Sequence, residues 1–123
     1  MEIIAEAVTA HGGDLEKAKD LISAAKEAGA DTVKFQAVLA NEILHPKTGN
    51  VFLHGRERPL YDEFRNLEKP RSFYEALLSM TKDAGLRFLC SVFGLESAKM
   101  LRDIGTDRLK IASPELNHHP LLE

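Results

Sequence analysis

The chain has little with which to cross-link itself, cross a bilayer or grip a polyanion. Cys90 is the only cysteine, which excludes an intrachain disulfide and makes a reducing, cytoplasmic setting the expectation. No apolar run approaches the roughly 20 residues of a membrane helix, and the N-terminus lacks a signal-peptide pattern. Charge of one sign is also missing. Sixteen Lys and Arg stand against 19 Asp and Glu, a net −3, so no global field recruits nucleic acid or an anionic membrane. Any anion must be met by local cations. Low-complexity tracts are absent, and 123 residues, 44% hydrophobic and 28% charged, suit one domain with a buried core.

The local cations stand in unusual places. Lys34 lies in Thr32-Val33-Lys34-Phe35-Gln36, and Lys110 in Leu109-Lys110-Ile111-Ala112-Ser113. Alternation along a strand puts Val33 and Phe35 on one face and Lys34 and Gln36 on the other. Likewise Leu109 and Ile111 oppose Lys110. A buried ammonium without a partner is costly, so the face receiving both lysines should hold carboxylates, water or an anionic ligand.

Three segments end a helix alike and then begin a strand: Lys26-Glu27-Ala28-Gly29 before 32–38, Lys82-Asp83-Ala84-Gly85 before 87–93, and Arg102-Asp103-Ile104-Gly105 before 108–113. Glycine after a helix takes the left-handed cap, and a cation in the last turn suits the helix dipole. A first strand is expected over 3–8. Asp14 is an N-cap candidate for a helix over 15–28, with Leu15, Ala18, Leu21, Ile22 and Ala25 as its apolar stripe. Ser72 and Glu75 have capping-box spacing for a helix running to Ala84, a shorter helix fits 96–104, and another should start near Pro120.

This β-α-β-(insert)-α-β-α-β order predicts an α/β fold with parallel strands. It fits either a doubly wound sheet or the first four strands of a TIM (β/α)8 barrel, whose eight strands need about 250 residues. Half a barrel would have raw edges, so homo-oligomerisation is expected. The insert from Ala37 to Arg71 is too long for a plain βα connection and follows the edge where such proteins place their sites. A turn is expected at Lys47-Thr48-Gly49-Asn50 and a short helix near Pro59–Leu67. The insert reads as a substrate-covering loop, or equally as a decorative or oligomer-contact insertion.

The C-terminal ends of the four strands collect Glu6 and His11, then Lys34 and Gln36, then Ser91, then Lys110, Ser113 and Glu115. Ammonium groups, hydroxyls and backbone amides at one edge can hold a phosphorylated or carboxylated ligand. The carboxylates can orient sugar hydroxyls or move protons. Spacing does not say which does which. His118 and His119 are adjacent, so their side chains diverge and make a poor chelate; His45 and His54 lack ligand spacing. Cys90, with no base or cation close in sequence, reads as a small core residue.

Ile4-Ala5-Glu6 followed by His11-Gly12-Gly13-Asp14, then Lys26 to Asp31 running into Val33-Lys34-Phe35-Gln36, resembles the opening of the sialic acid synthase family. Phe88-Leu89-Cys90-Ser91-Val92-Phe93 and Leu109-Lys110-Ile111-Ala112-Ser113 are similar to its third and fourth barrel strands. The likeness covers nearly the whole chain, least in the insert. It implies a TIM-barrel enzyme that condenses phosphoenolpyruvate with an amino sugar such as N-acetylmannosamine, yielding a nonulosonic acid and phosphate. On that resemblance Lys34, Lys110 and Ser113 bind phosphoenolpyruvate, and Gln36, Glu115 and His11 contact the sugar. Glu6 sits at the reacting centre to position or deprotonate water or to stabilise cationic character.

The resemblance also implies a divalent metal, Mn2+ or Mg2+, polarising the sugar aldehyde. The family's two metal-binding histidines lie in the second half of the barrel, and an antifreeze-like domain follows. Neither is within these residues, so 1–123 is expected to be the N-terminal half of the catalytic domain, without metal ligands and inactive alone. The chain departs from the family's A-E-I-G-x-N-H-N-G at Ala7, Val8, Ala10 and Gly12. It departs again at Val92, Gly94 and Pro114, leaving the choice of sugar open. Two other readings remain: a Schiff-base aldolase using Lys34 or Lys110 as the amine, and a non-catalytic phosphate-binding half-barrel module.

Overall fold

The computed structural model describes all 123 residues. In chain order, β1 (Ile4–Val8), α1 (Leu15–Glu27) and β2 (Thr32–Gln36) form the opening unit. The insert contributes α2 (Ala40–Ile43), β3 (Asn50–Leu53), β4 (Arg56–Pro59) and α3 (Leu60–Asn66). Then come α4 (Arg71–Asp83), β5 (Arg87–Val92), α5 (Leu95–Asp103) and β6 (Leu109–Ile111), before a 3-10 turn (Ser113–Glu115) and α6 (His119–Leu122). One sheet has the order β1-β2-β5-β6 with every neighbouring pair parallel, and β3-β4 forms a separate antiparallel hairpin. Sheet order follows chain order and never reverses. No helix is long and apolar enough to cross a membrane.

The three anticipated helix ends close in the same way. Gly29, Gly85 and Gly105 take φ of 81°, 77° and 89°. That lets the following amide reach back five residues: Ala30 N to Ala25 O at 3.0 Å, Leu86 N to Thr81 O at 3.1 Å, and Thr106 N to Leu101 O at 3.2 Å. Each closure feeds the chain towards the next strand. At the other end of α1, Asp14 Oδ1 accepts from Glu16 N at 2.9 Å and Lys17 N at 3.3 Å, the N-cap expected from the sequence.

The core lies between the sheet and its helices. Ala18, Ile22 and Ala25 of α1 and Phe73, Tyr74, Leu77 and Leu78 of α4 pack on Val33, Phe35, Phe88, Cys90 and Val92. Burying a side chain such as Ile22 or Leu77 stabilises the fold by about 1.5–3 kcal/mol. Leu15, in the first turn of α1, stays exposed, so the buried stripe is narrower than the sequence suggests.

Several expectations need correction. The Ser72–Glu75 capping box does not form: α4 begins at Arg71, with Pro70 as an extended N-cap and no side-chain cap. Glu75 instead accepts from Arg71 Nε at 2.7 Å, a charge-assisted bond that outcompetes a backbone amide. β1 ends at Val8 as anticipated, whereas β2, β5 and β6 stop short of their anticipated ends, although Ala37 N to Ser91 O (2.9 Å) and Ala112 N to Val92 O (3.0 Å) extend two ladders by one bond. The insert is not a plain loop. Besides the anticipated helix α3, it holds α2 and the β3–β4 hairpin, whose His54 and Gly55 both have positive φ (51° and 77°), as a tight two-residue hairpin turn requires.

Candidate functional site

Strand register sorts the polar residues onto one face. Glu6 aligns with Lys34, and Lys34 with Leu89. In the next row Gln36 aligns with Ser91, and Ser91 with Lys110. Aligned side chains of a parallel sheet point the same way, so these six share the side opposite Val33, Phe35, Phe88 and Cys90, which meet the helices. Leu89 agrees with this: it is buried, yet stands outside the helix-side core cluster.

On that face Lys34 Nζ lies 2.5 Å from Glu6 Oε1, with the Lys34 side chain 14% exposed and Glu6 57% exposed. The lysine stem is packed and its charge is met by a carboxylate on the open side. Lys110, half-buried one row further along, enters none of the molecule's ion pairs. Ser91 is buried between Gln36 and Lys110. Only the register reveals that position, because the sequence gives a serine at a strand end and nothing about its neighbours.

Beyond β6 the chain turns at once. Ser113 opens the 3-10 turn and is exposed; Glu115 closes it, half-buried, with Oε2 2.7 Å from His118 Nδ1. His118, which the sequence offered only as half of a poor chelate, is therefore the partner of a predicted site residue.

His11, expected to contact the sugar, does not join this group. The β-bulge between Glu6 and Val8 redirects the chain after β1, and His11 packs on the helix side. Its ring centroid is 5.0 Å from Phe73 and 6.0 Å from Phe35, and the residue is 4% exposed. Nδ1 accepts from Gly13 N at 2.9 Å, while Nε2 is buried without a partner. Burial first, and then the nearby Lys69 charge, lower its pKa, against a smaller raising effect of the Val8 carbonyl. A neutral ring in an aromatic bed is the outcome. Cys90, fully buried, has its thiol pushed up to about 12 by desolvation, which suits a packing residue.

A further carboxylate holds the insert against the site's rim. Glu42 Oε1 accepts from Glu96 N at 2.7 Å and Ser97 N at 3.2 Å, capping α5 from 54 residues away. Gly94, the α5 N-cap, has no side chain to do this, and a Cβ there would stand 2.5 Å from the Glu42 carboxyl carbon. Glu68 Oε1 in turn accepts from Ala40 N at 2.7 Å at the start of α2. No group of three or more His, Cys, Asp or Glu side chains is arranged to hold a metal ion.

Parallel β/α units, with polar side chains gathered on one face of the sheet and at its strand ends, define the class: an α/β domain built on a parallel sheet. The chain belongs to the NeuB family, whose profile matches residues 21–123. N,N'-diacetyllegionaminic acid synthase of Legionella pneumophila is 34% identical over 98% of this chain and 35% of its own length. The spore coat polysaccharide biosynthesis protein SpsE of Bacillus subtilis is 37% identical over 98% of this chain and 33% of its own. The crystal structure of N-acetylneuraminic acid (sialic acid) synthetase from Leptospira borgpetersenii serovar Hardjo-bovis, in complex with citrate, matches with a TM-score of 0.80 and 30% identity. That match covers 98% of this chain and 39% of the other. The chain therefore spans about a third of the length of the curated relatives it matches. The family likeness read from the strand motifs is borne out.

Proposed function

We propose that the chain is the first half of an eight-stranded (β/α) barrel in an enzyme that condenses phosphoenolpyruvate with an N-acylated amino sugar, giving a nonulosonic acid and phosphate. The unreversed strand order supports the barrel, since a doubly wound sheet changes direction at a switch point. The relatives named as N,N'-diacetyllegionaminic acid synthase and, in Mus musculus, N-acetylneuraminate-9-phosphate synthase support the reaction class.

One observation carries the reading: the Glu6–Lys34 pair, with Gln36, Ser91 and Lys110 in the adjoining row of the same face. Lys34 and Lys110 serve as point charges for the donor's carboxylate and phosphate, with Ser113 and Ser91 hydroxyls completing the shell. Gln36 and Glu115 meet the hydroxyl and acylamino groups of the sugar. The enol carbon bonds to the sugar's aldehyde carbon, water adds at the neighbouring carbon, and phosphate leaves from that carbon. Glu6, beside Lys34, positions the water or takes its proton. No step is assigned to a metal held by these residues.

A Schiff-base route through Lys34 is less well supported, because its nitrogen is engaged by a carboxylate rather than set in the apolar pocket that activates a lysine amine. The test uses the enzyme that contains this segment, with phosphoenolpyruvate, manganese and N-acetylmannosamine or other N-acylated amino sugars. Inorganic phosphate should be released, and Lys34→Met and Lys110→Met should each lower kcat/KM for phosphoenolpyruvate by about 10- to 100-fold. Borohydride trapping of a lysine adduct, or full turnover in both variants, would replace the condensation reading.

A further inference from the structure

On the condensation reading Glu115 is an acceptor for the sugar, yet a glutamate closing a short turn is free about its side-chain torsions. His118 removes that freedom. Its Nδ1 is 2.7 Å from Glu115 Oε2, and the contact is sheltered on the carboxylate side, where Glu115 is 16% exposed. The backbone of His118 is itself held from both directions. His118 N donates to Glu115 O at 3.0 Å, and His118 O accepts from Leu121 N at 2.9 Å and Leu122 N at 3.2 Å as α6 begins. The imidazole is thus anchored before it meets the carboxylate.

The surroundings favour this pairing. His118 lines a cavity of about 330 Å³ at the ends of β5 and β6, together with Phe93, Gly94, Glu42 and Glu96. Its charged walls are carboxylates, so no other cation lining the cavity competes for Glu115. In the neutral ring, Nδ1–H donates to Oε2 and Nε2 is left as an acceptor. One carboxylate oxygen is then tied down and the other keeps its lone pairs for a ligand hydroxyl or N–H.

We propose that His118 is a positioning residue that fixes the Glu115 carboxylate for the N-acylated amino sugar, an inference that rests on the condensation reading. An Asn Nδ2 occupies nearly the place of a His Nδ1, whereas a Gln amide reaches the place of Nε2. The variants therefore separate this role from bulk packing. In the enzyme containing this segment, His118→Leu and His118→Gln should raise KM for the sugar about tenfold and leave KM for phosphoenolpyruvate within twofold. His118→Asn should stay close to the parent.

The pair is read independently from the Glu115 side-chain carboxyl carbon resonance, assigned with Glu115→Gln. It should move in His118→Leu and stay in His118→Asn. An unmoved resonance overturns the pair, whatever the activity. A moved resonance with unchanged sugar KM, or equal losses for both substrates, overturns the positioning role. Turnover of the unmodified enzyme is measured first, and its absence counts against the condensation reading and removes this inference with it.

Discussion

At Lys34 one pairing decides which side of the sheet can carry chemistry. An ammonium with only 14% of its side chain exposed needs a carboxylate nearby, and Glu6 supplies it at 2.5 Å. Two residues later Val8 takes φ of 49°, a left-handed conformation that a β-branched side chain adopts only under constraint. The bulge that imposes it also turns His11 away from the polar face. In an ordinary strand, Gly is less stable than Ala by about 0.5–1 kcal/mol. At position 8 that order should invert, with Val8→Gly more stable than Val8→Ala by about 1 kcal/mol in urea denaturation; the ordinary order would mean the strain is absent. Period-two alternation made the facing of Lys34 and Gln36 legible in the sequence. It said nothing about His11, because alternation ends where the bulge begins.

Among the elements, helix ends that close locally were legible and those capped from afar were not. Lys26-Glu27-Ala28-Gly29 carries its own cap chemistry, so the end of α1 could be read directly. The start of α5 could not, since its cap is Glu42 across 54 residues. The β3–β4 hairpin was missed for a different reason: Arg56-Glu57-Arg58-Pro59 is exposed throughout and shows no apolar alternation to read. The Glu42 cap has a measurable consequence. Glu42→Ala should destabilise the chain by about 1 kcal/mol and speed hydrogen exchange at the Glu96 and Ser97 amides while leaving α1 protected. Unchanged exchange at those two amides would show that Glu42 does not hold α5.

Across the whole molecule, the end of the sheet opposite the site is tied by ions. Glu2 accepts from Thr32 Oγ1 at 2.5 Å and from Arg108 Nη2 at 2.8 Å, and lies 3.6 Å from Arg87, linking the starts of all four sheet strands. The Arg108 bond first, then that of Thr32, hold the Glu2 pKa at about 2, below its ordinary 4.5. The unfolded chain therefore binds this proton at a higher pH than the folded one. The stabilisation is fully present above about pH 4.5 and is lost as pH falls from there towards 2. Glu2→Gln should flatten the stability–pH slope in that window and leave the slope near neutrality unchanged. The same slope in both proteins would place the acid sensitivity elsewhere. This clamp at the strand starts leaves Lys34, Gln36, Ser91 and Lys110 further along the strands, towards the ends where the site is proposed. The most direct test of that division is a crystal structure of the enzyme containing this segment, soaked with phosphoenolpyruvate. The account predicts donor oxygens within hydrogen-bond distance of both Lys34 Nζ and Lys110 Nζ. A donor seated elsewhere, or lysine nitrogens turned from it towards opposite sides of the sheet, would contradict it.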